Sequence, residues 1–169
     1  MPIELDVENG VFMPDEGPGN RPRFAVRFRQ VWATISPEQK DRILTYWRKF
    51  KGAPLIDLVV GHRYPGENED YGCRVKFNAE VVDWAPKDKL AGLIAHELGH
   101  VLSYADPESA SSKALGRVHT EELNRIKEEE ADALAESWGF DMTALRTWGN
   151  DNLDQFSAFG CIMPDGFTY

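Results

Sequence analysis

The stretch of sequence that decides the fold is PKDKLAGLIAHELGHVLSY, residues 86–104. A Pro at residue 86 suits the first turn of a helix, because the N–H that it lacks has no partner there. Apolar residues then recur at the three- and four-residue spacing of a helical face, and they are Leu90, Ile94, Leu98, Val101 and Leu102. The pattern predicts a helix from Pro86 to about Tyr104.

This helix carries the motif His96-Glu97-Leu98-Gly99-His100. Two His residues four apart stand one turn above the other on the same face, so both imidazoles can reach one cation. Glu97 lies about 100° around the helix from His96. From there it could take a proton from a metal-bound water. The motif therefore predicts a metal site with a general base beside it.

Two His residues do not complete a catalytic zinc site, which has three protein ligands and one position for water. A second helix, predicted over residues 120–138, carries a run of acidic residues. Glu128 and Asp132 share a face, so one could bind the metal while the other accepts the free ring N–H of a ligand His. Glu129 and Glu130 have no such partner and are predicted to be solvated charges.

With these two motifs the chain resembles the gluzincin zinc metallopeptidases, which combine H-E-x-x-H on one helix with E-x-x-A-D or E-x-x-x-D on the next. Over residues 75–141 it looks most like soluble relatives of the HtpX-type proteases and the ImmA/IrrE-type proteases encoded near phage repressors. The resemblance implies a zincin-like fold, Zn²⁺ as cofactor and peptide-bond hydrolysis with Glu97 as the base. It also implies that Glu128 is the third ligand and that Asp132 supports the second His.

A second candidate for the third ligand is His119, 19 residues after His100. SprT-like and phage metallopeptidases use a third His at a comparable offset. If His119 is not a ligand, it could donate to an oxyanion near the cleft or cap the second motif's helix.

A function of another class also fits the motifs. The zinc could be structural or regulatory in a protein that works by binding a partner. A fourth protein ligand, such as Cys161 or Asp165, would favour that hypothesis. Cys161 could also ligate the metal as a latency plug.

Four side chains could stabilise a tetrahedral intermediate, and Tyr104 has the best position because it lies one turn beyond His100. The four are His62, Tyr64, Tyr71 and Tyr104. Cys73 falls on the inward face of its predicted strand and is expected to be a core residue.

The whole sequence predicts an α+β fold with an irregular arm over residues 1–22, a catalytic domain over 23–150 and an irregular tail over 151–169 packed on the domain. Residues 23–35 fit a strand and a helix equally well. The segment Ser36-Pro37-Glu38-Gln39 then opens a helix that ends near Lys51. A short turn of helix is predicted near residues 142–148.

Two strands are predicted, over residues 55–60 and 73–82, and a polar loop over 61–72 joins them. The second strand is expected at the edge of the sheet, where it could bind an extended peptide. Asn78 and Glu80 would then face the substrate.

Composition narrows the class of protein. The chain has 169 residues and a net charge of −9, so it is the size of one domain and is not expected to bind nucleic acid. No basic leader or long apolar run is present, which argues against a membrane. With only two Cys, the sequence predicts a cytoplasmic protein. The resemblance implies that its partner is a peptide or protein substrate.

Overall fold

The computed structural model describes residues 21–50, 56–68 and 74–162. These residues form an α+β structure, mostly helical, with one three-stranded sheet. The strands are β1 (Ile56–Val59), β2 (Gly66–Asn68) and β3 (Val75–Asn78). The helices are α1 (Arg21–Thr34), α2 (Pro37–Arg48), α3 (Ala79–Trp84), α4 (Lys87–Ala105), α5 (Ala110–Ala114), α6 (Thr120–Ser137), α7 (Met142–Asp151) and α8 (Leu153–Ala158).

The first two helices settle the ambiguous N-terminal pattern. Residues 23–35 follow their helical face, which is buried at Phe24, Phe28, Val31 and Ile35. The helix already begins at Arg21, whereas the rest of the predicted arm lies outside the described residues.

The predicted capping box at the start of α2 is confirmed. The Ser36 side chain accepts from the Gln39 backbone N–H, and the Gln39 side chain accepts from the Ser36 N–H. Helix α2 ends at Arg48, three residues before the predicted end.

The sheet has the strand order β1-β3-β2. Strand β3 is parallel to β1, from Ile56 opposite Val75 to Val59 opposite Asn78, and antiparallel to β2, where Gly66 lies opposite Phe77. The predicted edge strand is therefore the central one, and that prediction was wrong. The edge next to it is β2, in the segment predicted to be a loop, because its Gly-Glu-Asn sequence has no apolar alternation.

Strand β3 ends at Asn78, so the predicted strand to Val82 was also too long. The Asn78 Oδ1 atom accepts from the Val81 N–H and caps α3, which overrides the period-two pattern. Asn78 is fully buried and donates to the carbonyl oxygen of His62. Glu80 accepts from the Gly61 N–H. Asn78 is therefore too deeply buried to face a substrate as predicted, whereas that role of Glu80 stays a prediction. Both residues fix the turn after β1.

The C-terminal part is more helical than predicted. Helix α7 extends to Asp151, and α8 lies within the tail that was predicted to be irregular. The Phe156 side chain on α8 is fully buried in the core. The described part of the tail therefore packs on the domain through Phe156 and Cys161. Among the described helices none is long and apolar enough to cross a membrane.

Helix α4 passes through the centre of the molecule. It contacts β2 and the five helices α1, α2, α5, α6 and α7. Every residue from Leu90 to Tyr104 is buried. The apolar stripe faces the core as predicted, and the remaining face, which carries the two His residues, is covered mainly by α6.

Helices α4 and α6 approach each other closely at Gly99. A Cβ atom on Gly99 would lie 2.8 Å from the backbone oxygen of Ala131 and 3.1 Å from its Cα. Since any side chain would push the two backbones apart, glycine here sets the distance between the helices that carry the two motifs.

The Gly99→Ala variant should lose about 1–3 kcal/mol of unfolding free energy, because the new methyl group meets backbone that cannot move aside cheaply. The matched control is Gly92→Ala on the same helix, whose Cβ would lie 3.5 Å from the flexible Met142 Cε. That variant should be neutral or up to about 1 kcal/mol more stable from helix propensity. Equal urea midpoints for the two variants would contradict the close crossing.

Candidate metal centre

The two His residues of the motif present their ring nitrogens to each other. His96 Nε2 lies 3.1 Å from His100 Nε2, and the ring planes are 88° apart. Both residues are buried, at 3% and 6% exposure. The four-residue spacing on α4 therefore brings two nitrogen donors to one point, as the sequence predicts.

Glu128 on α6 reaches the same point. Its Oε2 atom lies 3.2 Å from His96 Nε2 and its Oε1 atom 3.2 Å from His100 Nε2. Among the described residues, this trio is the only group of three His, Cys, Asp or Glu side chains placed to hold a metal ion.

Asp132 supports the first His, which differs from what the resemblance implies. Its Oδ1 atom accepts from His96 Nδ1 at 2.8 Å, whereas His100 Nδ1 has no hydrogen-bond partner among the described residues. The reason is the direction of the helices: Lys127 lies against Tyr104 while Asp132 meets His96, so α4 and α6 run antiparallel. Asp132, one helical turn after Glu128, therefore lies beside His96 and not beside His100.

Arg146 on α7 completes the group, and sequence reasoning missed it. Its Nε and Nη2 atoms donate to Asp132 Oδ2 at 2.9 and 2.6 Å. Its Nη2 atom also lies 3.6 Å from Glu128 Oε2. A single Arg in a helix carries no pattern that would place it, because only the packing of α7 on α4 and α6 brings it here.

The charges of the group perturb its titration. Burial alone would lower the pKa of His96, but the negative charge of Glu128 and the hydrogen bond to Asp132 outweigh burial and raise it to about 10. Burial would raise the pKa of Glu128, yet the two His residues hold it far below its ordinary value. Asp132 also has a lowered pKa, since His96 and Arg146 offset its burial. Positive charge is thus strongly favoured between these carboxylates.

Glu97 lies on the adjoining side of α4 and is 4% exposed. Burial raises the pKa of its carboxyl, and the positive charges of His96 and His100 oppose that shift. Glu97 directly follows His96 in the chain, so its buried carboxyl belongs to the helical turn that carries the first ligand. The motif predicts a general base at this residue.

The donor set fits a metal such as zinc. Two atoms bound at about 2.0–2.1 Å to a tetrahedral ion are about 3.3 Å apart. Here the two Nε2 atoms are 3.1 Å apart, and each lies 3.2 Å from a different oxygen of Glu128. His96 has the carboxylate partner that zinc-ligating imidazoles usually have. The trio could therefore hold a metal ion with small adjustments.

His119 lies away from this centre. Its side chain is 74% exposed, and its Nδ1 atom accepts from the Glu122 N–H at the start of α6. Of the roles that the sequence left open, helix capping is the one observed.

The neighbouring acidic residues have other partners. Glu129 is exposed and pairs with Arg125, as expected for a surface charge. Glu130 was wrongly predicted to be solvated, because it accepts hydrogen bonds from the Ala110 N–H and the Ser111 hydroxyl and so ties α5 to α6.

Cys161 is also held elsewhere. Its thiol donates to the carbonyl oxygen of His62. Burial and, to a smaller extent, the negative charge of Glu80 raise the pKa of this thiol to about 11. It is not part of the metal-binding trio, so the structure does not support a latency plug.

Of the candidates for oxyanion stabilisation, Tyr104 contacts a residue of the trio, whereas His62 contacts Glu67 and Tyr64. The Tyr104 ring stacks on the His100 ring with centroids 6.0 Å apart. His62 Nε2 lies 2.8 Å from Glu67 Oε2, and Tyr64 packs edge-on against the His62 ring. The predictions for Tyr71, Cys73 and Asp165 fall outside the described residues.

Comparison with known proteins identifies no family: no protein-family model, no curated protein and no solved structure significantly matches this chain.

Replacing His119 by Ala should leave zinc affinity within about twofold of the wild type, because its ring caps α6 and does not reach the trio. The variant should lose about 0.5 kcal/mol of stability with the cap. A competition titration with a zinc chelator measures the affinity and urea unfolding the stability. A loss of zinc binding would restore the alternative ligand set.

Proposed function

We propose that this protein is a zinc-dependent endopeptidase of the gluzincin type, with a zincin-like fold. The observation that carries the proposal is the convergence of His96, His100 and Glu128, with the Glu97 carboxyl on the adjoining face of α4. Three ligands and a buried carboxyl are the parts that zinc hydrolysis of an amide requires.

The protein's own groups divide the work. His96, His100 and Glu128 would hold the ion, while Asp132 keeps the His96 ring in the tautomer with Nε2 toward it. Arg146 offsets part of the negative charge of the two carboxylates. The chemistry that zinc supplies at such a site is Lewis-acid catalysis, which polarises the scissile carbonyl and lowers the pKa of water toward 7.

Glu97 is the proton carrier in this proposal. Its carboxylate accepts a proton from the attacking water and returns it to the nitrogen of the leaving amine. Burial suits this role, because it raises the proton affinity of the carboxyl.

The non-catalytic alternative requires a fourth protein ligand. Of the two candidates, Cys161 bonds to the His62 carbonyl instead, and the other, Asp165, lies outside the described residues. A three-ligand set favours catalysis, because it leaves the ion a position for water.

The Glu97→Gln variant should bind zinc as the wild type does and should lose at least about 100-fold in the rate of peptide hydrolysis, since an amide cannot accept the proton. Quenched-fluorescent peptides of mixed sequence measure the rate, and elemental analysis measures the zinc. Chelation should abolish wild-type hydrolysis, and added zinc should restore it.

The matched control is Glu129→Gln, which makes the same change at an exposed residue that pairs with Arg125 and is not one of the three ligands. It should keep full activity. A Glu97→Gln protein as active as this control would refute the mechanism.

The Asp132→Ala variant should bind zinc about 10- to 100-fold more weakly, because His96 loses the acceptor that orients its ring. The Glu129→Gln protein again serves as the control in the same chelator competition. Unchanged affinity would mean that the Asp132–His96 bond does not orient the ligand.

A further inference from the structure

Strand β2 contacts Glu97 at two points. Gly66 and Asn68 are two residues apart and so face the same side of the strand. The Asn68 Nδ2 atom donates to the backbone oxygen of Glu97 at 3.0 Å. This hydrogen bond fixes the edge strand against the turn of α4 that carries the proposed base.

Gly66 faces the side chain of the same residue. A Cβ atom at position 66 would lie 2.9 Å from Glu97 Oε1, 3.0 Å from Cγ and 3.1 Å from Cδ. The backbone of Gly66 does not have a positive φ, in contrast to Gly61 and Gly116. Glycine at this position therefore leaves space for the Glu97 side chain and is not needed for its backbone conformation.

The three nearest atoms all belong to one flexible side chain. At Gly99, by contrast, the nearest atoms are the backbone of Ala131. A methyl group at position 66 can be accommodated by rotating the Glu97 side chain, whereas one at position 99 must separate two helices. Substitution of Gly66 should thus displace the carboxyl and leave the helix pair in place.

We infer that Gly66 is a positioning residue: the bare backbone of the edge strand holds the Glu97 carboxyl in its working place beside the metal ligands. The inference rests on the proposed function, and it adds that the strand, and not the helix alone, fixes the base. Asn68 keeps the strand at that distance through its bond to the Glu97 carbonyl.

The first test is the Gly66→Ala variant of the full chain. Zinc affinity in a chelator competition should stay within about threefold of the wild type, because the three atoms nearest to the added Cβ all belong to Glu97 and not to a ligand. The kcat for mixed quenched-fluorescent peptides should fall about 100-fold, as expected for a base displaced by about 1 Å, with little change in KM. An unchanged kcat, or an equal loss of zinc affinity, would overturn the inference.

The second test needs neither zinc nor activity. In metal-free protein, Gly66→Ala should lower the urea midpoint in the wild-type background but not in the Glu97→Ala background, where the crowded side chain is gone. The Gly92→Ala control, which faces Met142, should have the same effect in both backgrounds.

The two tests separate the claims. A wild-type protein that hydrolyses no peptide would defeat the proposed function, yet the double-mutant cycle would still decide whether Gly66 contacts Glu97. Equal midpoint losses from Gly66→Ala in both backgrounds would overturn the inference even if the wild type is an active peptidase.

Discussion

The close crossing of α4 and α6 is the constraint on which the candidate site depends. The contact between Gly99 and the Ala131 backbone leaves no room for a Cβ atom. It brings the imidazoles of one helix within 3.2 Å of the carboxylate of the other. The antiparallel direction then decides the partners, because it carries Asp132 toward His96 and Lys127 toward Tyr104. In a close-packed interior a small shift of one helix also moves the side chains that it carries. The geometry of the site therefore depends on Gly99, which has no side chain.

The long helices could be predicted from sequence because their signals are local. Apolar periodicity, the Ser36 cap and the acidic motif of α6 all act within a few residues. The sheet could not be predicted in the same way. Strand order depends on which segments pair across the fold, and β2 has only Gly66, Glu67 and Asn68 to pair. At Asn78 a side-chain cap took precedence over the alternating pattern.

The candidate site, too, could be predicted from the sequence only in part. Spacing alone placed His96 and His100 on one face and Glu128 and Asp132 on another, and the structure brings all four together. The residues around these four come from α7 and β2, and neither element belongs to one of the two motifs. Arg146 balances the carboxylates and Gly66 leaves room for Glu97, and neither role has a signature in a single sequence.

The central claim is that two imidazoles and one carboxylate bind a single zinc ion that keeps a position for water. X-ray absorption at the zinc edge, on protein loaded with one equivalent of zinc, tests it most directly. The account predicts four nitrogen and oxygen neighbours at about 2.0–2.2 Å, with outer-shell scattering from two imidazoles. A sulfur neighbour at about 2.3 Å, scattering from fewer than two imidazoles, or no bound zinc would contradict it.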